Sequence, residues 1–372
     1  MNANRPAILL ALTLLTAGLA TAACGASPAT TTTATRTPAP PATGAAGSGL
    51  VPAADKTLSF VADGTTTYAT LHVPAHRRGQ SLAGALLLPG SGPTDRNGDE
   101  GPAFAPHTLS LLAGVLGQAG VMTLRFDKYG TGQTGLGRYA NDPGALTMQA
   151  FVRQDGAAYR TLAAQPGLDR QRLLIVGHSE GGLTAMLTAE SASPRPAGLA
   201  LLAPQDERLL DLVRIQLGEQ LAAAVRAGQL SRAVAAQNET LISRAITAFR
   251  AGQPVSTTGM VSSIASLFTG ALFSSVNASF TRSDDAIVPA AVAAQLAAGT
   301  RVLVTCGTAD TNVPCGTLPA LRAGLRQART TGPGLVTLSG VDHLLHPAGT
   351  AANDQVLAPA AVAALRSFLT PY

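Results

Sequence analysis

The stretch Leu173–Gly182 (LLIVGHSEGG) decides how the folded part of this chain is organised. Its first four residues are apolar and predict a buried strand, and a helical pattern follows Ser179. Between them stands the pattern Gly-x-Ser-x-Gly, in which glycines at 177 and 181 allow a turn so tight that the serine hydroxyl protrudes at the sheet edge. The N-terminus of the following helix favours negative charge there. The stretch therefore predicts that Ser179 is a nucleophile; the alternative is a glycine-rich tight turn without chemistry.

On both sides of this stretch, short apolar runs alternate with longer helical patterns. Such runs are typical of buried parallel strands joined by crossover helices. Residues 57–63 and 66–73, which flank Asp63-Gly64, predict an antiparallel hairpin before them. We therefore predict an α/β fold with a mostly parallel sheet of about eight strands. The apolar runs are residues 85–88, 121–126, 173–176, 199–202, 302–305 and 335–338, and the helical patterns are residues 108–118, 146–164, 180–191, 318–328 and 355–368.

The segment from Asp206 to about Asp285 breaks this alternation. Its apolar residues recur at intervals of three and four, as in amphipathic helices, and it has no strand-like run. We predict that residues 206–285 form a helical cap over the C-terminal edge of the sheet. The alternative is a helical layer that only packs on the sheet.

A serine hydroxyl becomes an effective nucleophile only when a base takes its proton. Among the six histidines, His343 follows the last predicted strand in a loop that can reach the nucleophile, and His346 is the other candidate in that loop. The acid that orients the imidazole is expected after the preceding strand, where Asp310 stands. Asp206 and Asp342 are the alternatives.

Four motifs in this order resemble the α/β-hydrolase superfamily, specifically its bacterial esterase and serine-aminopeptidase-like branch. Residues 85–96 (ALLLPGSGPTDR) are similar to the loop after the family's third strand, and residues 125–132 (RFDKYGTG) resemble its R-x-D-x-R-G-x-G turn, with Tyr129 in place of the usual arginine. The serine turn and the Asp and His loops complete the set. The resemblance covers roughly residues 80–205 and 300–370, and it implies an α/β-hydrolase fold.

The resemblance also implies an oxyanion hole, which holds the charge that develops when serine attacks a carbonyl. One donor is the backbone N–H of Glu180, and the other is the backbone N–H of Ser91, with Gly92 as the alternative. The charged side chains in the two loops predict ion pairs that brace them. Arg96 as a clamp for a substrate carboxylate is the competing interpretation.

Residues 1–23 predict a targeting segment. Arg5 precedes an apolar run over residues 7–19, which is too short to span a membrane. Small residues directly before Cys24 resemble a bacterial lipoprotein signal, in which that cysteine is lipidated, although Thr21 stands where an aliphatic residue is usual. An ordinary secretory signal is the alternative.

Residues 24–54 are rich in Ala, Thr and Pro and predict a flexible tether, which leaves residues 55–372 as the hydrolase domain. We expect an exported protein, held by a lipid at the outer face of the cell membrane or else secreted. Because exported proteins meet an oxidising environment, the two remaining cysteines, Cys306 and Cys315, predict one disulfide. Two free thiols or a metal pair are the alternatives, but no histidine lies nearby at ligand spacing.

The composition excludes several classes of function. Lys and Arg total 26 against 21 Asp and Glu, and the basic residues are scattered singly, which argues against a nucleic-acid partner. No His/Cys/Asp cluster has ligand spacing, so neither a metal nor another cofactor is implied. We therefore expect a serine hydrolase that cleaves small-molecule carboxylic esters. The alternatives are a serine exopeptidase with the same triad and a non-enzymatic surface-binding lipoprotein.

Overall fold

The computed structural model describes residues 49–372, so the predicted leader with Cys24 and most of the predicted tether lie outside the described residues. Within residues 49–372, no helix is both long and apolar enough to cross a membrane.

The strands of the described part form a large sheet and a small one. The large sheet has eight strands in the order β10-β9-β8-β7-β5-β6-β3-β2, and it is parallel from β10 to β6 and antiparallel at β3 and β2. The small sheet pairs β1 with β4. The predicted mixed sheet with its N-terminal hairpin is thereby confirmed. The strands are β1 (Leu50–Val51), β2 (Ala54–Ala62), β3 (Thr65–Val73), β4 (His76–Arg77), β5 (Leu82–Leu88), β6 (Val121–Phe126), β7 (Leu168–His178), β8 (Gly198–Leu202), β9 (Arg301–Gly307) and β10 (Thr331–Leu338).

Helices cover both faces of the large sheet, as the apolar runs predict. Alternate side chains of β5 point to opposite faces of the sheet. Leu86 and Leu88 pack in one apolar cluster with residues of α2, α3, α8 and α9. Ala85 and Leu87 pack in another cluster with residues of α1 and α10. This two-sided burial explains why the parallel strands are continuously apolar. The helices are α1 (Thr108–Gln118), α2 (Met148–Ala163), α3 (Glu180–Ser191), α4 (Leu209–Arg226), α5 (Arg232–Arg250), α6 (Ser262–Ser266), α7 (Ala278–Asp285), α8 (Pro289–Gln295), α9 (Pro319–Gln327) and α10 (Pro359–Leu369).

The segment between β8 and β9 is helical and has an apolar core of its own. The segment buries Leu217 of α4, Ile246 of α5 and Phe268 of the π-helical turn Leu267–Leu272, among other apolar side chains. The ring of Phe273 stacks on two neighbours, with 4.0 Å between its centroid and that of Phe249. At the base of this segment, the carboxylate of Asp285 binds the guanidinium groups of Arg208 and Arg250. The first turn of α4 is thereby fixed to the end of α7.

Several elements differ from the sequence-based expectation, and two of the differences have an identifiable cause. Helix α10 begins at Pro359 rather than near residue 355, because proline lacks an N–H and fits the first turn of a helix. Helix α8 was not predicted; it has only seven residues, too few for a helical period to be recognised.

Candidate active site

Ser179 occupies the strained turn between β7 and α3. Its backbone has φ 56° and ψ −122°, a conformation that is costly for a residue with a side chain. A Cβ atom at Gly177 would collide with the carbonyl oxygen of Gly181, and one at Gly181 would collide with the carbonyl oxygen of Leu88. The two glycines are therefore required for the turn, and the turn presents the serine side chain at the carboxyl edge of the sheet.

His343 and Asp310 reach Ser179 from neighbouring strand ends. Since β7, β9 and β10 are parallel, the loops that follow them meet at one edge. His343 Nε2 lies 2.9 Å from Ser179 Oγ, and His343 Nδ1 lies 2.9 Å from Asp310 Oδ2. The other carboxylate oxygen, Oδ1, accepts the backbone N–H groups of Asn312 and Val313, each at 2.8 Å. The acceptor-only carboxylate assigns the proton of the neutral imidazole to Nδ1 and leaves Nε2 free to accept the serine proton.

The environment of His343 favours a base that gains a proton readily. Burial by itself lowers the pKa of the imidazole, but the negative charge and the hydrogen bond of Asp310 outweigh it, so that the pKa is raised above its usual value. Its imidazolium is therefore stabilised where it forms.

The loop that carries His343 is held by a hydrogen bond from a second histidine, His178. His178, inside the Gly-x-Ser-x-Gly turn, has its Nε2 atom 2.7 Å from the carbonyl oxygen of His343, to which it donates. Complete burial lowers the pKa of His178 to about 4, which keeps this ring neutral at physiological pH. No local pattern in the sequence indicates this contact, because the two residues are 165 positions apart.

The alternative base and acids lie outside this relay. His346 is fully buried, and neither ring nitrogen has a hydrogen-bond partner among the described residues. Asp342 accepts the backbone N–H of His346 and so braces the loop. Asp206 instead accepts the hydroxyl of Thr317, and burial raises the pKa of its carboxyl to about 7.

The loop after β5 approaches the serine closely. A Cβ atom at Gly90 would lie 3.3 Å from Ser179 Cβ, and Ser91 lines two cavities together with Ser179 and His343. Within residues 49–372, neither the backbone N–H of Ser91 nor that of Glu180 donates a hydrogen bond to a protein group. Both N–H groups are thus available to an oxyanion, and so is that of Gly92.

Arg96 forms an ion pair within the protein and is not placed to bind a substrate carboxylate. Its guanidinium donates to both carboxylate oxygens of Asp127, from Nε at 2.9 Å and from Nη2 at 2.6 Å. The interpretation of Arg96 as a substrate clamp is therefore wrong, because both donors face a buried carboxylate of the protein itself. The bracing ion pair joins the loop after β5 to the loop after β6.

The space around Ser179 is small. A cavity of about 20 Å³ lies between the loop after β5 and the side chains of Ser179 and His343. One of about 10 Å³ is lined by Leu209 and Leu212 of α4. Gln216 of α4 also donates to the carbonyl oxygen of Asn312 at 2.8 Å, which ties α4 to the Asp310 loop. A larger cleft of about 310 Å³ adjoins His343 on its other side.

The predicted disulfide is present. Cys306 at the end of β9 is bonded to Cys315, with 5.4 Å between the two Cα atoms, and the bridge encloses the loop that carries Asp310. No group of three or more potential metal-ligating side chains occurs in the described part of the chain.

Comparison with known proteins gives a family match and several solved structures with a similar fold. The family described as "Alpha/beta hydrolase family" matches residues 85–358. No curated protein sequence matches the chain. Three of the similar solved structures are DcsB in complex with its substrate analogue, Est1E from Butyrivibrio proteoclasticus with bound ferulic acid, and an esterase of Pyrococcus furiosus.

These structural likenesses have low sequence identity. DcsB is 17% identical, with a TM-score of 0.52 over 86% of this chain and 99% of its own. Est1E is 18% identical, with a TM-score of 0.48 over 77% and 91% of the two chains. The Pyrococcus furiosus esterase is 12% identical, with a TM-score of 0.48 over 77% and 81%. At such identity the likeness to DcsB concerns the fold alone, and the other two carry no argument.

Proposed function

Because the chain belongs to the alpha/beta hydrolase family, and is a hydrolase, we propose that it cleaves carboxylic esters of modest size through a Ser179–His343–Asp310 triad. The observation that carries this proposal is the continuous hydrogen-bonded path from Ser179 Oγ through both ring nitrogens of His343 to Asp310. A nucleophile, its base and an orienting acid in that order are what acyl transfer requires.

In the proposed reaction, Ser179 Oγ attacks the ester carbonyl carbon while its proton passes to His343 Nε2. The N–H groups of Ser91 and Glu180 hold the negative oxygen of the tetrahedral intermediate. His343 then gives the proton to the departing alcohol, and an acyl-enzyme remains. Water, activated by the same histidine, attacks the acyl-enzyme, releases the acid and restores the serine.

The cavities support an ester with a short acyl group. The spaces next to Ser179, of about 20 and 10 Å³, are close to the size that one or two water molecules occupy. On the α4 side, a long acyl chain would have to displace α4, whose Gln216 is bonded to the Asp310 loop. A larger substituent therefore has room only in the cleft of about 310 Å³ beside His343. The substrate is therefore a small molecule.

A serine exopeptidase with the same three residues is the second candidate. An exopeptidase needs an anionic group for the substrate's amine, and Glu100 is an acidic residue among those that line the cavity with Ser179 and His343. This acidic residue is the observation that favours a peptidase as the alternative to an esterase.

Two measurements test the proposal. The purified protein is offered p-nitrophenyl esters of increasing acyl length and aminoacyl-nitroanilides in parallel, and we expect turnover of the short esters. Turnover of the anilides alone would replace the esterase by the peptidase. Ser179→Ala should abolish both turnover and labelling by a serine-directed phosphonate, while the far-UV circular dichroism spectrum stays the same; continued labelling would refute the assignment of Ser179.

We also propose that Cys24 is lipidated and that a tether holds the enzyme at the outer face of the cell membrane. The predicted end of this tether at residue 54 is wrong, because Leu50 and Val51 pair with β4 and Ala54 pairs with β3, so the tether ends before β1. The support is the small-residue pattern before Cys24 in the sequence. Cys24→Ala should move the protein from the membrane fraction to the medium or the soluble fraction. An unchanged membrane fraction would contradict the anchor, and plain secretion would then be favoured.

A further inference from the structure

Lys128 is a buried cation next to the proposed oxyanion hole. It is one of only two lysines in the chain and lies in the loop after β6. Only 6% of its side chain is exposed. Burial of an ammonium group is costly unless the group is paired and hydrogen-bonded, so its partners indicate what it does.

The ammonium contacts two segments that are far apart in the sequence. Lys128 Nζ donates to the carbonyl oxygen of Gly90 at 2.6 Å. It also lies 3.5 Å from Glu180 Oε1, and the Glu180 side chain is equally buried. Gly90 directly precedes one proposed oxyanion donor, and Glu180 is itself the residue of the other.

The contact with Gly90 bears on the N–H of Ser91 through a shared peptide group. The carbonyl of Gly90 and the N–H of Ser91 belong to one trans peptide plane, in which they point in opposite directions. A cation on the carbonyl oxygen fixes the orientation of that plane. It also polarises the peptide, because hydrogen bonds in series strengthen one another. The N–H of Ser91 is thereby held on the side away from Lys128 and made a better donor.

The contact with Glu180 bears on the second donor. Glu180 is the first residue of α3, and its backbone N–H has no partner within residues 49–372. Its Oε1 atom faces Lys128, whereas Oε2 is buried without a hydrogen-bond partner among the described residues. Lys128 is therefore the group that holds this side chain at the start of the helix.

We propose that Lys128 is a positioning residue of the oxyanion hole. Because its ammonium contacts both Gly90 and Glu180, it fixes the position of the Ser91 N–H relative to that of the Glu180 N–H. The inference rests on the proposed function, since it concerns the hole of that reaction. The competing explanation is charge balance alone, because the buried carboxyl groups of Asp155 and Asp284 also lie within electrostatic range of Lys128.

The test compares ground-state and transition-state binding in Lys128→Met. Assays with p-nitrophenyl acetate give kcat and KM, and a methyl trifluoromethyl ketone, whose adduct with serine carries an oxyanion, gives an inhibition constant. Loss of a single oxyanion donor lowers kcat by roughly 10²–10³-fold, and misplacement of two donors is expected to cost about 10–100-fold, with KM nearly unchanged. The inhibition constant should rise by a similar factor.

Further variants separate positioning from charge balance. Lys128→Arg keeps the positive charge that the buried carboxylates need, so the protein should fold even if Lys128→Met does not, but a planar guanidinium cannot replace a compact ammonium at two acceptors. We expect kcat to stay low in Lys128→Arg; recovery to the wild-type value would favour charge balance and overturn the proposal. The matched control is Lys56→Met, which removes the other, exposed lysine and should leave kcat and the inhibition constant unchanged.

The outcomes also separate this inference from the proposed function. A wild-type protein that hydrolyses no ester and is not labelled at Ser179 would refute the function itself. A wild-type protein that hydrolyses esters, together with folded Lys128 variants of wild-type kcat and inhibition constant, would refute the positioning role alone.

Discussion

The substitution Asp310→Asn tests the proposed hydrogen-bonded path from Ser179 through His343 to Asp310, because the structure defines which oxygen of Asp310 faces the histidine. Asp310 Oδ1 already accepts two backbone N–H groups, so the carbonyl oxygen of an asparagine would remain at that position. Its NH₂ group would then face His343 Nδ1 in place of Oδ2. Because an NH₂ group donates, Nδ1 would have to become the acceptor and the ring proton would move to Nε2. The nitrogen that faces Ser179 could then no longer accept the serine proton.

The expected effects are a large loss of rate and a shift of the pH profile. In serine hydrolases the wrong tautomer costs about 10⁴-fold in kcat, and we expect a loss of about 10³–10⁴-fold here. In the wild type, Asp310 raises the pKa of His343 against the effect of burial, and activity needs the neutral ring. The acid limb of the wild-type profile should therefore lie above pH 6.5, the usual value for histidine. Without the charge, burial remains and the acid limb should move to lower pH.

The assay is kcat/KM for p-nitrophenyl acetate between about pH 4 and 9, followed at a wavelength that does not depend on ionisation of the product. Asp206→Asn is the matched control, because Asp206 is buried nearby but binds Thr317 and not His343. We expect it to keep the position of the acid limb and most of the rate. A rate for Asp310→Asn within tenfold of the wild type, with the same acid limb, would refute the assignment of the acid.

Three other perturbations have defined outcomes. Replacing both Cys306 and Cys315 by Ser should lower the melting temperature, since closing a loop of this size contributes roughly 2–3 kcal/mol to stability. It should also change kcat more than KM, because the loop that carries Asp310 loosens. An unchanged melting temperature together with an unchanged kcat would contradict the role of the bridge. His343→Ala should cost about as much kcat as loss of the nucleophile, whereas His346→Ala should leave kcat near the wild-type value; the reverse order would assign the base to the wrong histidine. Burial raises the pKa of Asp155 to about 7, so the folded protein loses stability relative to the unfolded chain as pH rises from about 4 to 7. Asp155→Asn should therefore stabilise the protein more at pH 8 than at pH 5, and an equal change in melting temperature at both pH values would refute this.

The serine turn and the sheet around it could be predicted from the sequence because their causes are local. Four apolar residues, two glycines that a tight turn requires and a helical pattern stand within Leu173–Ser191, and each constrains its own part of the backbone. The disulfide was predicted on a different ground, the two cysteines that remain in a protein expected to be exported. Chain order also favoured Asp310 and His343, with Asp206, Asp342 and His346 as alternatives, since loops after neighbouring parallel strands meet at one edge.

Contacts between distant loops depended on the tertiary structure. The sequence left Arg96 open as a substrate clamp, but only the packed loops show it paired with Asp127. Likewise, nothing near Lys128 in the sequence indicates that its ammonium binds Gly90, 38 positions away, or that His178 donates to His343. Local sequence restricts the backbone conformation of a short segment, whereas the partner of a polar side chain is set by whichever chain segments fold against it. The proposed nucleophile could therefore be predicted from its own turn. The contacts that orient the proposed base and oxyanion donors depend instead on the packing of the loops after β5, β6, β7, β9 and β10.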